Sequence, residues 1–283
     1  MIYIPLLAAL ALGAGTILEK LLLRKKKIGT KLYQTGSFFV ISILMLPLLY
    51  FFWKLDSEAF QLKNILIFLG VIASAVLANF FYLYSIKWEK ITKTEPARVL
   101  EPLFVILLVI LFGLFIPGFS EPNKGILIPA IIAGIAIIFP HIKRERIKLN
   151  KYFIAALAGS LFFALELVIS KLILNFYSPI TFYFLRCLFV FIISYLIFKP
   201  KLNSLDKKTY FNIFIIGGVW ITYRVAVYFG YLKYGIIFTT LITMIAPIII
   251  YLLASKFLKE KLNWKNIVSS IVIISCIIYV TLT

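Results

Sequence analysis

Apolar runs of about twenty residues alternate with short polar breaks along the whole chain. They lie at roughly 2–23, 31–53, 62–86, 94–116, 123–140, 152–174, 178–198, 209–232, 236–257 and 264–282. Each is long enough to cross a bilayer as a helix, since the hydrocarbon core is about 30 Å thick and a helix rises about 1.5 Å per residue. The breaks carry turn or charge signals: KKKIGTK, KLDSE, PGFSEPNKG, HIKRERIKLNK, NFYSP, KPKLNSLDKK, LKYG and KFLKEKLNWK. A shorter break, KWEKITK, makes spans three and four a tight hairpin. The pattern predicts an all-α polytopic membrane protein with ten transmembrane helices and no soluble domain.

Composition sharpens this picture. Hydrophobic residues make up 63% of the 283 positions, well above the roughly half of an ordinary soluble domain. The formal charge of +19 could point to nucleic acid. The basic residues, however, sit in short loops between spans, so anionic lipid is the expected partner and nucleic acid is not. Cys187 and Cys276 lie inside apolar runs and offer neither a disulfide framework nor metal spacing. His141 is the single histidine and stands at a membrane edge. No cofactor and no metal are expected. The first apolar run has no basic leader or small-residue cleavage site before RKKK at 24–27, and reads as a retained span.

The distribution of Lys and Arg predicts orientation. One set of alternate loops holds 21 of them and the other set 5, while Lys20, Arg98, Arg186 and Arg224 fall within spans. Over short loops the basic side is cytoplasmic. With ten spans, both termini then face outward, in a plasma-membrane protein.

An offset of 145 relates the two halves. It brings Pro102 onto Pro247, Thr94 onto Thr239 and Ser85 onto Gly230, and each half has five spans with a tight hairpin and a proline in its second arm. Residues 1–141 form the first repeat, 142–150 a basic cytoplasmic linker and 151–283 the second. Five is odd, so the second copy lies inverted in the membrane. Inverted repeats are a hallmark of secondary transporters, with substrate bound near the midplane between halves.

The stretch YLKYGIIFTTLITMIAPIIIYLLASKFLKEKLNWKNIVSSIVIISCIIYV resembles the C-terminal half of the drug/metabolite transporter superfamily, in its ten-helix EamA-like branch. Pro247, Glu260 and Lys261 match that pattern. Arg186 in TFYFLRCLFV resembles an arginine common in the seventh helix, and Lys171 a lysine that often ends the sixth. In the first half Pro102 fits, but no acidic motif follows it. The resemblance implies a metabolite or drug carrier whose central cavity is lined by helices three, four, eight and nine. Many members have both termini in the cytoplasm, the opposite of what the charge distribution predicts here.

Ionisable groups within spans need partners or water, because each costs about 2.5–3.5 kcal/mol at a helix centre. Six stand out: Glu95, Arg98, Glu101, Glu166, Arg186 and Arg224. Glu166 precedes Tyr177 by 11 residues and Arg186 follows it by 9, so their depths agree to about 3 Å. An intramembrane ion pair is expected, serving as a clamp or in substrate coupling. Glu95 lies at the cytoplasmic edge, either solvated or as a gating group. Arg98 and Glu101 lie deeper, one turn apart, and Asn79 on the third span reaches a similar depth. Under the 145 offset Asn79 falls on Arg224 and Arg98 on Thr243.

These groups form an expected cavity ring of Asn79, Arg98, Glu101, Arg224 and Thr243; the alternative is an internal network that locks the halves together. Trp220, Arg224 and Tyr228 make one stripe at i, i+4, i+8, and Tyr223 and Tyr82 are nearby. Such aromatics wall a small cavity or simply pack. Pro96, Pro102 and Pro247 free backbone carbonyls and can hinge spans four and nine, or merely bend them. Gly217 and Gly218 read as close packing between helices.

Arginine beside glutamate suits a zwitterion such as an amino acid, and Glu101 can exchange a proton during transport. The expected function is therefore a secondary carrier, an exporter of amino acids or similar metabolites. An organic-cation or multidrug carrier is the alternative substrate reading, and a non-transporting scaffold the alternative class. No hydrolase, metalloprotease or phosphate-loop motif occurs, so an enzyme is not expected. Ten spans with an internal repeat serve as a complete carrier in a monomer or a homodimer.

Overall fold

A computed structural model describes residues 3–24, 28–89, 100–116, 124–138, 150–201, 206–259 and 264–282, together with Thr94, Ala97, Arg98 and Phe119. Glu95, Pro96, His141, Glu260 and Lys261 lie outside the described residues, as does the 142–150 linker apart from Asn150. All regular elements among the described residues are helical. They are α1 (Tyr3–Leu23), α2 (Thr30–Phe52), α3 (Leu62–Trp88), α4 (Glu101–Phe115), α5 (Lys124–Ile138), α6 (Lys151–Lys171), α7 (Pro179–Phe198), α8 (Lys207–Lys233), α9 (Ile236–Thr243), α10 (Ala246–Leu258) and α11 (Trp264–Leu282).

Among the described residues, seven helices are long and apolar enough to cross a membrane, counting Ile236–Leu258 as one; Glu101–Phe115, Gly125–Ala136 and Ile267–Leu282 are shorter and apolar. The outward surface carries large apolar side chains such as Leu114, Phe115, Leu196, Ile197 and Ile271. A soluble protein would hide many of these; a bilayer solvates them, while the helices satisfy their own backbone polar groups. The chain is a multi-pass membrane protein.

Local chemistry sets the helix ends. Asn150 caps α6 by accepting from the amides of Tyr152 and Phe153, and Ser178 caps α7 ahead of Pro179 by accepting from Thr181. Gly235, at φ 88°, joins α8 to α9 in a turn that a Cβ would strain. The ninth apolar run is not one continuous helix. It breaks at Met244 and Ile245, two residues before Pro247, because proline has no amide to donate to the preceding turn. The first half breaks similarly: Leu100 is a turn residue before α4 starts at Glu101, with Pro102 just inside.

Packing is strongest between halves. α3 packs along α6 and α1 along α8; α2 faces α7 and α5 faces α11; α1 meets α10 and α4 meets α6. Gly159 permits the α3–α6 contact, since a Cβ there would lie 3.1 Å from the Tyr82 nitrogen and 3.3 Å from the Ala78 oxygen. Of the glycine pair in α8, Gly217 abuts Leu44 and Ile41, whereas Gly218 has open space beside it.

Two lysines tie helix ends together. Lys20 of α1 donates to the carbonyls of Ile86 and Glu89 at the end of α3. Lys171 of α6 donates to the carbonyl of Tyr231 at the end of α8, 2.9 Å away. The loops fall on two faces. On one, the α2–α3 and α6–α7 connections are stitched together: Asp56 donates through its amide to Phe176 at 2.9 Å and Ser178 to Lys54 at 3.1 Å, with Leu55 and Tyr177 paired antiparallel. On the other, Lys87 reaches the carbonyl of Ile28 at 2.7 Å and Asn150 donates to Glu89 at 3.3 Å.

Candidate functional site

Glu166 is the hub of a buried charge network. Arg186 grips it with two hydrogen bonds, Nε to Oε1 at 2.9 Å and Nη2 to Oε2 at 3.2 Å. Arg224 adds an ion pair from Nη2 to Oε2 at 3.0 Å. Tyr228 donates its hydroxyl to Oε1 at 2.9 Å. Four contacts fill the lone-pair sites that two carboxylate oxygens offer, which is what a charge away from water requires. Helices α6, α7 and α8 are thereby joined. The guanidiniums also stack: Arg186 lies 5.6 Å from the Tyr183 ring centre, and Arg224 lies 5.3 Å from those of Phe163 and Tyr223.

A second polar group sits across the bundle, on α1. Glu19 is buried and accepts from Tyr33 of α2 at 3.0 Å through Oε1. Its other oxygen has no well-formed hydrogen bond among the described residues, with the Trp220 indole and the Tyr82 hydroxyl within interaction range. Arg98 reaches Thr16 of the same helix at 3.3 Å and lies over the Tyr82 ring at 4.4 Å. It stands within electrostatic reach of Glu19.

Between these groups runs a cavity of two adjoining lobes, each of about 50 Å³. The lobes share Leu12, Arg98, Glu101 and Tyr223. Each has room for about three waters.

The residues expected from the sequence distribute as follows. Asn79, Tyr82, Trp220 and Arg224 line the first lobe with Arg98, Glu101 and Tyr223. Pro102, Thr243 and Pro247 line the second with the shared residues. Asn79 spends its amide on the Ala75 carbonyl at 2.8 Å, and Thr243 its hydroxyl on Thr240 at 2.8 Å. Tyr228 lines neither lobe; its hydroxyl is committed to Glu166. Arg224 has a double role, since one nitrogen pairs with Glu166 while Nη1 is buried without a hydrogen-bond partner among the described residues.

Sequence reasoning missed Glu19, Tyr33 and Gln34, which line the first lobe. Glu19 stands next to Lys20 and just before RKKK, so it reads as part of a charged membrane edge. The signal available was its place on a span with Gly13 and Gly15, where helices approach closely. Gly15 does lie against Trp220. Among the described residues no group of three or more His, Cys, Asp or Glu side chains is placed to hold a metal ion.

Comparison with known proteins adds three findings. Residues 150–282 match the EamA-like transporter family. No curated protein matches the chain. A protein known from its crystal structure superposes over 97% of this chain and 97% of its own, with a TM-score of 0.66 and 15% sequence identity. At that identity the likeness is one of fold.

Proposed function

We propose that this chain is a ten-span secondary carrier of the drug/metabolite transporter superfamily that exports small metabolites, amino acids foremost, by alternating access, a reading supported by the match of residues 150–282 to the EamA-like transporter family. The repeats at 1–141 and 151–283 lie inverted about the two-lobed cavity, joined by the cytoplasmic 142–150 linker. Both termini face outward across the plasma membrane, protons are the coupling ion, and one chain holds a complete cavity.

Several observations support the repeat. α3 and α8 have equal lengths and begin 145 positions apart, and α4 and α10 also begin 145 apart. The carbonyls held by Lys20 and Lys171, Ile86 and Tyr231, differ by 145 as well. Exchanging each helix for its counterpart five spans on turns the α3–α6 contact into α8–α1, and α1–α10 into α6–α4, all of which occur.

The observation that carries the functional reading is the cavity itself. Both halves supply its polar walls, Asn79, Arg98 and Glu101 from one and Arg224 and Thr243 from the other. A scaffold would gain nothing from an arginine nitrogen left buried with no hydrogen-bond partner among the described residues.

Thermal stability of the purified protein across amino acids, organic cations and phosphorylated sugars tests this. A ligand present at about 100 times its Kd stabilises by roughly 2.7 kcal/mol. A zwitterion-dependent shift that Arg98→Ala abolishes supports cavity and ligand class together. A shift with cations alone replaces amino acids with organic cations, and no shift with any compound refutes the carrier reading in this form.

A further inference from the structure

Several buried side-chain atoms lack a hydrogen-bond partner among the described residues, and four of them gather in one place. The carboxylate oxygen Oε2 of Glu19, the hydroxyl of Ser37, the indole nitrogen of Trp220 and Nη1 of Arg224 all belong to residues that line the first lobe. An unpartnered buried polar atom is destabilising, most of all on a charged group. Several around one cavity mark the place where a polar ligand replaces water. Glu166, by contrast, is saturated by Arg186, Arg224 and Tyr228 and has nothing to offer a ligand.

Resting on the carrier reading above, we infer that Glu19 is the carboxylate that receives the ammonium group of an amino-acid substrate, with Nη1 of Arg224 receiving its carboxylate. Glu19 is fit for the task. Tyr33 fixes one oxygen at 3.0 Å, so the carboxylate is oriented, while the other oxygen has no well-formed hydrogen bond among the described residues. The indole nitrogen of Trp220 and the hydroxyl of Tyr82 stand within interaction range of the same carboxylate. Arg224 is oriented in the same manner, one nitrogen held by Glu166 at 3.0 Å and another unfilled. Each half of the protein thus presents one anchored charged group with a vacant bonding position. Around the lobes stand Glu19, Glu101 and Glu166 against Arg98, Arg186 and Arg224, three charges of each sign among the described residues. A net-neutral zwitterion leaves that balance undisturbed, whereas a bare cation or anion adds an uncompensated charge to a low-dielectric site. Glu101 becomes a wall of both lobes in this arrangement, with the amine held on α1.

The test uses full-length protein in detergent. The twenty L-amino acids are screened by thermal shift, and the strongest binder is titrated beside the carboxylic acid that lacks its amine. Glu19→Gln keeps the shape and an oxygen for Tyr33 but removes the charge. The expected result is at least a tenfold weakening for the amino acid with no weakening for the amine-free acid. Equal weakening of both, or of neither, overturns the assignment of Glu19 and leaves the amino-acid carrier standing. If none of the twenty binds wild-type protein, the amino-acid reading and this inference fall together. Should Glu19→Gln not fold, Glu19→Asp and the wild-type comparison decide: an amine-free acid that binds wild type as tightly as the amino acid overturns the inference.

Discussion

Glu166 and Arg186 meet through two hydrogen bonds, 2.9 and 3.2 Å long, from adjacent helices and with almost no exposure of either side chain. The planar fork of the guanidinium matches the carboxylate, a geometry that lysine cannot supply. Removing the carboxylate leaves two buried arginines facing each other. Glu166→Gln should therefore destabilise by about 3–5 kcal/mol, read as a lower unfolding midpoint in detergent. The triple change Glu166→Leu, Arg186→Met, Arg224→Met should recover most of that loss. Failure to recover would show that the network does more than balance charge.

The two lysine ties give a prediction in pairs. Lys171→Met leaves the Tyr231 carbonyl without its donor, and Lys20→Met does the same at Ile86. Each should destabilise by about 1–3 kcal/mol, the range for leaving a buried polar group unmet. Unfolding measurements on both variants check whether the halves respond alike. A loss confined to one lysine would mean that only one tie bears strain.

Backbone proximity at Gly159 separates it from Gly218. A Cβ at 159 meets main-chain atoms of α3 at 3.1 and 3.3 Å, which cannot swing aside; one at 218 meets nothing within 4 Å. Gly159→Val should cost about 1–3 kcal/mol through forced separation of α3 and α6. Gly218→Ala should change stability by less than about 1 kcal/mol, in the favourable direction because alanine is the better helix former. Paired melting curves make the comparison.

Orientation is open to chemical labelling. Glu58 and Lys201 are exposed in loops on opposite faces by the count of intervening spans. With Cys187 and Cys276 replaced by alanine, a membrane-impermeant maleimide on intact cells should modify Glu58→Cys and spare Lys201→Cys. The reverse pattern would invert the protein in the membrane and place both termini inside.

Much of this architecture is legible in the sequence because lipid imposes simple rules. Run lengths mark the helices, and counting residues from a shared loop puts Glu166 and Arg186 at one depth. Depth arithmetic knows nothing of helix rotation, however. It could not say that Arg224 would turn one nitrogen toward Glu166 and another toward the cavity, or that Tyr228 would follow it onto the carboxylate rather than wall the lobe. Glu19 was hidden by its neighbours: a carboxylate followed at once by Lys20 and RKKK looks like surface charge. Only packing of α1 against α8 reveals that it faces inward. Pro247 marked a disturbance in the ninth run, but the break falls at Met244 and Ile245, within the turn that precedes the proline.

The α2–α3 and α6–α7 connections are stitched together through main-chain hydrogen bonds, while among the described residues of the opposite face long side chains reach across. Backbone hydrogen bonds between two straps break together; single lysine and asparagine contacts break one at a time. Under the carrier function proposed above, the stitched face then parts in one cooperative step, whereas the contacts described on the other face can be lost singly.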